Sequence, residues 1–337
     1  MPWGEERVMP IDENRRCAVL GKPIGHSLSP VLHQAAYRVL DLRGWRYDRI
    51  EMDEDGLPAF LSALDDGWAG LSLTMPLKRT VMTLGTPCDR WSSELRVANT
   101  VVLGGDDGPL LFNTDVDGIR LALSHAREHS RGSVQPVGDR LDVVILGNGN
   151  TALSALAAVS MMARDLHVVV AARHPESRTT LRDFARQRSD RMTLETTVLD
   201  GSLRCIAEAD IVISTLPAHA ADPLARRVAP ETTGNVTAQD GTAPLTPKRG
   251  AMLLDVAYDP HPSLLGHRWS QAGGLSIGGE EMLLYQAIGQ VHRMTATSRG
   301  GDPRTVSWPR EGFSPTDGHE VDVVLENAMR TALWEAM

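Results

Sequence analysis

A chain of 337 residues with 43 acidic and 34 basic side chains, net charge −9, is long enough for two domains with separate cores, and its charge is wrong for a broad nucleic-acid-binding face. Its three cysteines, Cys17, Cys88 and Cys205, stand far apart without CxxC or Cys/His metal spacing, so the expectation is buried thiols, a reducing compartment and no structural zinc. Met1 to Arg16 mixes acids and bases without an apolar core, and no apolar stretch reaches the ~20 residues of a membrane span; a soluble, cytoplasmic protein with no membrane and no nucleic-acid partner is expected.

From Arg16 to Asp115 the sequence runs in a short βα rhythm. Strands are predicted over Cys17 to Leu20, Trp45 to Met52 and Ala69 to Leu73, and helices over Ser29 to Leu40, Gly56 to Asp65 and Pro76 to Leu84. Alternation of this kind implies a mostly parallel sheet covered on both faces, with chemistry gathered in the turns after the strands.

Three of those turns are polar. In Gly21-Lys22-Pro23-Ile24-Gly25-His26-Ser27-Leu28-Ser29-Pro30, the hydroxyls of Ser27 and Ser29 suit a carboxylate, although Ser29 before Pro30 is equally a good helix cap. In Ser72-Leu73-Thr74-Met75-Pro76-Leu77-Lys78, a helix opening at Pro76 puts Lys78 in its first turn, where a cation opposes the helix dipole and calls for a carboxylate partner or an anionic ligand. In Phe112-Asn113-Thr114-Asp115-Val116-Asp117-Gly118, ahead of the amphipathic segment Ile119 to His129, Asp117 is the better placed cap, which leaves Asp115 without a structural duty.

The stretch Leu141 to Ala172 reads as strand, glycine turn, alanine-rich helix and strand, the βαβ unit that cradles a dinucleotide. Gly147, Gly149 and Ala152 occupy the three fingerprint spacings, with Asn150 and Thr151 between the last two. The second strand ends Ala172-Arg173-His174, with Arg178 following and no acid before Glu176; a basic strand end suits the 2′-phosphate of NADP better than the ribose hydroxyls of NAD. A helical pattern over Glu176 to Arg188, strands over Ala209 to Ser214 and Ala251 to Val256, and a long helix over Gly279 to Thr297 continue the doubly wound half. Glu231 to Gly250 reads as a surface excursion, Ser298 to Glu320 as a polar connection, and Val321 to Met337 as a final helix docked through Val324, Ala328 and Leu333.

GKPIGHSLSP, GLSLTMPLK, VANT (Val97 to Thr100), NTDVDG, the glycine turn, ADIVIST (Ala209 to Thr215), DVAYDP (Asp255 to Pro260) and GGEEMLLYQA (Gly278 to Ala287) together resemble the shikimate dehydrogenase family, in its order and spacing across roughly residues 16 to 297. The resemblance implies a two-domain α/β fold. A substrate-binding domain, residues 1–118 plus 280–337, would carry an inserted Rossmann NADP-binding domain, residues 119–279. The activity implied is the reversible, metal-free, NADPH-dependent reduction of 3-dehydroshikimate to shikimate in chorismate and aromatic amino-acid biosynthesis, by a monomer or homodimer.

By the same resemblance Lys78 and Asp115 form the catalytic pair. Ser27, Ser29, Ser72, Thr74, Asn99, Tyr258 and Gln286 contact the substrate's carboxylate and hydroxyls, and Val256 and Gly279 lie near the nicotinamide. With the glycine turn, Arg173, His174 and Arg178 complete the cofactor set. The sequence departs from the family where asparagine is usual: Ser72 shortens the reach to substrate, and Gln34 follows His33. Ala172-Arg173-His174 replaces the common Asn-Arg-Thr. The alternatives are a quinate/shikimate dehydrogenase using NAD, an enzyme of an aminated ring analogue, and a non-catalytic binding module, which has no use for Lys78 with Asp115. Glutamyl-tRNA reductase shares the dinucleotide fold but needs a nucleophilic cysteine and a tRNA-binding region.

Overall fold

The computed structural model describes residues 14–104, 108–130, 139–177, 179–228, 245–308 and 320–337. Arg178, most of the excursion expected over 231–250 and part of the polar connection over 298–320 lie outside the described residues. The chain divides into two compact units, Met1–Thr114 with Ala287–Met337, and Asp115–Gln286. Among the described residues no helix is long and apolar enough to cross a membrane.

In the first unit the apolar run Cys17 to Leu20 forms the buried part of β1 (Arg15–Gly21). Helix α1 (Ser29–Val39) leads to β2 (Trp45–Glu51), and α2 (Leu57–Ser62) leads to β3 (Trp68–Leu73), so that β2 and β3 flank β1 in parallel. Beyond β3 come β4 (Thr86–Pro87), α3 (Arg90–Leu95), β5 (Thr100–Val102) and β6 (Leu110–Phe112), giving the order β2-β1-β3-β5-β6-β4. Among the described residues β5 alone runs antiparallel to its neighbours β3 and β6, so the sheet is mixed, and its other strands keep one direction, the mostly parallel arrangement expected. Strands of two or three residues are too short to leave an alternating signature.

The helix predicted from Pro76 is corrected. Residues 75–79 form turns, followed by a single 3₁₀ turn over Thr80–Thr83, so Lys78 opposes no helix dipole. Thr80, Val81 and Thr83 are β-branched, which lowers helix propensity along this short segment.

In the second unit α4 (Asp115–His129), β7 (Arg140–Leu146), α5 (Asn150–Val159), β8 (Asp165–Ala171), α6 (Thr180–Arg186) and β9 (Met192–Thr197) are followed by α7 (Leu203–Glu208), β10 (Ile211–Ser214), α8 (Asp222–Ala225), β11 (Met252–Asp255), α9 (Leu264–Gln271) and β12 (Leu275–Gly278). All pairings in this sheet are parallel, in the order β12-β11-β10-β7-β8-β9, the doubly wound arrangement whose order reverses beside its first strand. Its strands bury continuous runs such as Val143 to Leu146 and Val168 to Ala171, as strands covered on both faces must. Fully buried Trp269 fills one side of the core and donates its indole N–H to the Ala251 carbonyl at 3.3 Å. Strands β9 and β12 and helices α7, α8 and α9 were not read from the sequence.

Helix α10 (Gly279–Met294) carries the chain back to the first unit, where α11 (Glu320–Ala336) packs on α1. The buried apolar face of α11 is Leu325, Met329 and Leu333, spaced by one turn each. Val324, expected at the contact, is 49 % exposed.

Under β1 and β3 the core holds a polar network. The His33 ring stacks on Tyr47 with centroids 3.9 Å apart, and its Nε2 lies 3.3 Å from Gln290 Oε1. Gln290 Nε2 donates to the Asn99 carbonyl at 3.1 Å and to Thr100 Oγ1 at 3.2 Å, which fixes the amide orientation and requires the proton of neutral His33 to sit on Nε2. Burial lowers the His33 pKa to about 3 despite this bond. Unfolding returns the imidazole to its ordinary value near 6.5, so the stabilisation is complete above that pH and is lost as pH falls toward 3. Urea unfolding at pH 7 and pH 5 should therefore differ by roughly 2 kcal/mol more in the native sequence than in His33→Gln; equal pH dependence in the two proteins would contradict this.

Candidate active site

The turns of the first unit meet at one edge of its sheet because of strand direction. β1, β3 and β6 all end there and β5 begins there, so Ser27, Ser29, Thr74 and Asn99 share the edge with Lys78. Gly21 lets the first two turns touch: a Cβ on it would lie 2.3 Å from Thr74 Cγ2 and 2.9 Å from the Met75 carbonyl. The Lys22 N–H donates to that carbonyl at 2.9 Å.

Ser29 is the first residue of α1, and the cap position falls on Leu28, with no side chain capping the helix. The capping role open to Ser29 is thus not used. Its hydroxyl instead accepts a hydrogen bond from Ser27 Oγ at 3.3 Å and bonds with Tyr47; both serines are buried. The Tyr47 hydroxyl donates to Ser72 Oγ at 2.6 Å, and Ser72 donates to Gln290 Oε1 at 2.8 Å. Ser72 has one proton, and it is committed to Gln290. Burial also drives the Tyr47 phenol well above its usual pKa, so it stays a neutral donor.

The third turn is tied in by an amide. Asn99 Oδ1 accepts from the Thr114 N–H and from Thr100 Oγ1, each at 2.9 Å, while Asn99 Nδ2 donates to Thr114 Oγ1 at 3.0 Å. Asp89 caps α3 by accepting from the Ser92 N–H at 2.6 Å and also accepts from the Asn113 N–H at 2.9 Å, fixing the backbone just before Asp115. Half-buried Lys78 is held through its carbonyl, which accepts the Ala98 N–H at 2.9 Å. Tyr47 and Gln290 escaped the sequence reading because nothing in β2 or late α10 marks either as polar support for distant turns.

In the second unit α4 begins at Asp115 itself. Asp117 therefore lies inside the first helical turn, 3.6 Å from Arg120, and is not the cap. Asp115 is 3 % exposed. Gly118 brings α4 against α10, since a Cβ there would lie 2.8 Å from Gln286 Cβ. Buried Gln286 donates from Nε2 to the Leu283 carbonyl at 3.1 Å.

The glycine turn follows β7 at the point where strand order reverses, the usual ligand edge of such a sheet. Gly147 has φ +102°, and a Cβ would stand 2.5 Å from Thr215 Oγ1. Around Gly149 a Cβ would meet nothing within 4 Å, and no side chain caps the N-terminus of α5, whose first residues are Asn150, Thr151 and fully buried Ala152. An open backbone approach to an uncapped helix start fits a pyrophosphate. Arg173 and His174 are exposed immediately beyond β8. On the other side of the reversal Val256 and Gly279 touch, since a Cβ on Gly279 would lie 2.2 Å from the Val256 carbonyl oxygen. Tyr258 is half-buried in the loop between β11 and α9. Burial raises the carboxyl pKa of Asp255 at the start of that loop, opposed by a hydrogen bond with Ser263 at its end. Among the described residues no group of three or more potential metal ligands occurs.

The family model described as the shikimate dehydrogenase substrate binding domain matches residues 19–101. A shikimate dehydrogenase (NADP(+)) of Methanothrix thermoacetophila is 30% identical over 271 residues, 80% of this chain and 87% of that protein. The crystal structure of Mycobacterium tuberculosis shikimate dehydrogenase is 29% identical with a TM-score of 0.69, covering 95% of this chain and 99% of that one. A shikimate 5-dehydrogenase from Mycobacterium fortuitum is 32% identical with a TM-score of 0.65, covering 94% and 97%. With relatives at this identity matched over nearly their full length, and with the polar turns and the glycine turn each built as described, the chain belongs to the shikimate dehydrogenase family.

Proposed function

We propose that this protein is an NADP-dependent shikimate dehydrogenase that reversibly reduces 3-dehydroshikimate to shikimate. The observation that carries the reading is the convergence of Ser27, Ser29, Thr74, Lys78 and Asn99 on one sheet edge in a chain of this family. The first unit then serves as the substrate domain and the second as the dinucleotide domain. A soluble enzyme acting in the cytoplasm, as a monomer or homodimer, suits that role.

The substrate carries a carboxylate on a hydroxylated ring. Ser27 and Ser29 turn their hydroxyl donors to the carboxylate in exchange for the Ser27–Ser29 and Ser29–Tyr47 bonds. Thr74, Asn99, Gln286 and Tyr258 take ring hydroxyls and fix which carbon faces the cofactor, converting a chance encounter into an oriented one. NADPH, when bound, supplies the hydride to the C3 ketone. Negative charge then grows on the ketone oxygen, and Lys78 stabilises it and provides the proton, with Asp115 as the second member of the catalytic pair. Gly147, Gly149, Asn150, Thr151 and Ala152 receive the pyrophosphate, and Arg173, with His174 and Arg178, the 2′-phosphate.

The serine pair offers a direct test. Ser27→Ala/Ser29→Ala removes two hydrogen bonds to a charged group and should raise KM for shikimate by roughly 10- to 100-fold, with the Kd for NADP+ unchanged. An unchanged KM for shikimate would remove the carboxylate from this subsite.

A further inference from the structure

We infer that Asn148 is a positioning residue for the cofactor: its side-chain amide ties the loop carrying Arg173 to the glycine turn and so sets the preference for a 2′-phosphorylated dinucleotide. This rests on the NADP reading above and extends it to a residue outside the fingerprint positions Gly147, Gly149 and Ala152.

Asn148 Nδ2 lies 2.9 Å from the His174 carbonyl and 3.1 Å from Ser177 Oγ. The opposite amide orientation would set Oδ1 against a carbonyl that can only accept, so the donor side must face the loop. The same His174 carbonyl accepts the Ser177 hydroxyl at 2.8 Å and the Ser177 N–H at 3.2 Å. Residues Pro175–Ser177 form the 3₁₀ turn that this carbonyl organises. At the other side of the turn Glu176 pairs with Arg182 of α6 and accepts from Thr196 of β9 at 3.4 Å. The glycine turn is itself locked to β8, with the Gly147 N–H donating to Ala171 at 2.7 Å.

Arg173 therefore sits between two fixed points, the end of β8 and the anchored carbonyl of His174. A loop ordered in advance does not pay for its ordering when ligand arrives. Only a ligand with a phosphate at the ribose 2′ position draws on Arg173, so the benefit of anchoring falls on NADP and not on NAD. An alanine at 148 would leave the backbone of the turn intact and remove both bonds. Aspartate keeps the size of the side chain, loses both donors and sets a carboxylate against the His174 carbonyl.

Titration calorimetry of the full-length protein with NADP+ and NAD+ separates these cases without relying on turnover. Asn148→Ala should weaken NADP+ by about tenfold, the loss of two ordinary hydrogen bonds felt through the loop, and change NAD+ by less than twofold. Asn148→Asp should weaken NADP+ at least as much, which a merely space-filling role would not produce. Arg173→Ala is the control and should show the same selectivity. If both Asn148 variants keep the native ratio of the two affinities, or lose both cofactors equally, while Arg173→Ala loses NADP+ selectively, the role of Asn148 is overturned. If the native protein itself does not prefer NADP+, the cofactor reading falls, and the inference with it.

Discussion

Lys78→Ala is expected to lower turnover of shikimate by about 10²- to 10⁴-fold, while the Kd for NADP+ stays within twofold. The expectation follows from chemistry placed on a substrate edge. Hydride transfer to a ketone leaves the oxygen needing a proton, and a half-buried lysine in the turn after β3 is the cation of the Thr74 to Lys78 motif. The surrounding turn is held by backbone bonds, among them Leu77 N–H to Thr74 and Ala98 N–H to Lys78, so truncating the side chain leaves its scaffold in place. Lys78→Arg keeps the charge but replaces the compact ammonium with a planar guanidinium that does not give up its proton, and should recover little of the rate. Native-level turnover in Lys78→Ala, or loss of cofactor binding with it, would contradict the role.

The second large effect belongs to Gly147. Gly147→Ala meets two independent obstacles: a backbone at φ +102° that side-chain-bearing residues rarely adopt, and a Cβ placed 2.5 Å from Thr215 Oγ1. Thr215 cannot step aside freely, because its hydroxyl donates to the Leu146 carbonyl at 2.8 Å. Backbone strain of this kind costs about 1–3 kcal/mol, and the contact adds to it. The expected outcome is a loss of roughly 2–4 kcal/mol in stability and at least tenfold weaker binding of NADP+, read by urea unfolding and by titration. Adding Thr215→Ala relieves the contact but not the strain, so the double variant should recover part of the stability. Full recovery, or no loss in the single variant, would contradict the account of this turn.

How far the sequence foretold this architecture depended on the physical signal each part leaves. Strands β7 and β8 are buried on both faces, so they appear as unbroken apolar runs around a glycine turn, and both were legible. β5 and β6 are three residues each, too short for any period to show. The helix expected at Pro76 rested on a proline start signal that Thr80, Val81 and Thr83 did not sustain. On α11 the apolar residues are dense enough to fit more than one face, and the buried set is Leu325, Met329 and Leu333 while Val324 faces solvent. Within the site, hydroxyls and charges beside turns were visible as motifs. The residues that hold them, Tyr47 behind Ser29 and Ser72, Gln290 beneath Asn99, and Asn148 beside Arg173, act across long sequence separations, and only the fold brings them to their partners. Ser72 shows the converse: it lies in a substrate motif, yet its proton is given to Gln290.

The most direct measurement is the initial rate at the reduced nicotinamide absorbance band, with shikimate and quinate each offered with NADP+ and with NAD+. Turnover of shikimate with NADP+ well above the three other pairs is the expected result. Preference for quinate or for NAD+, or no turnover with any pair, would contradict the proposed activity.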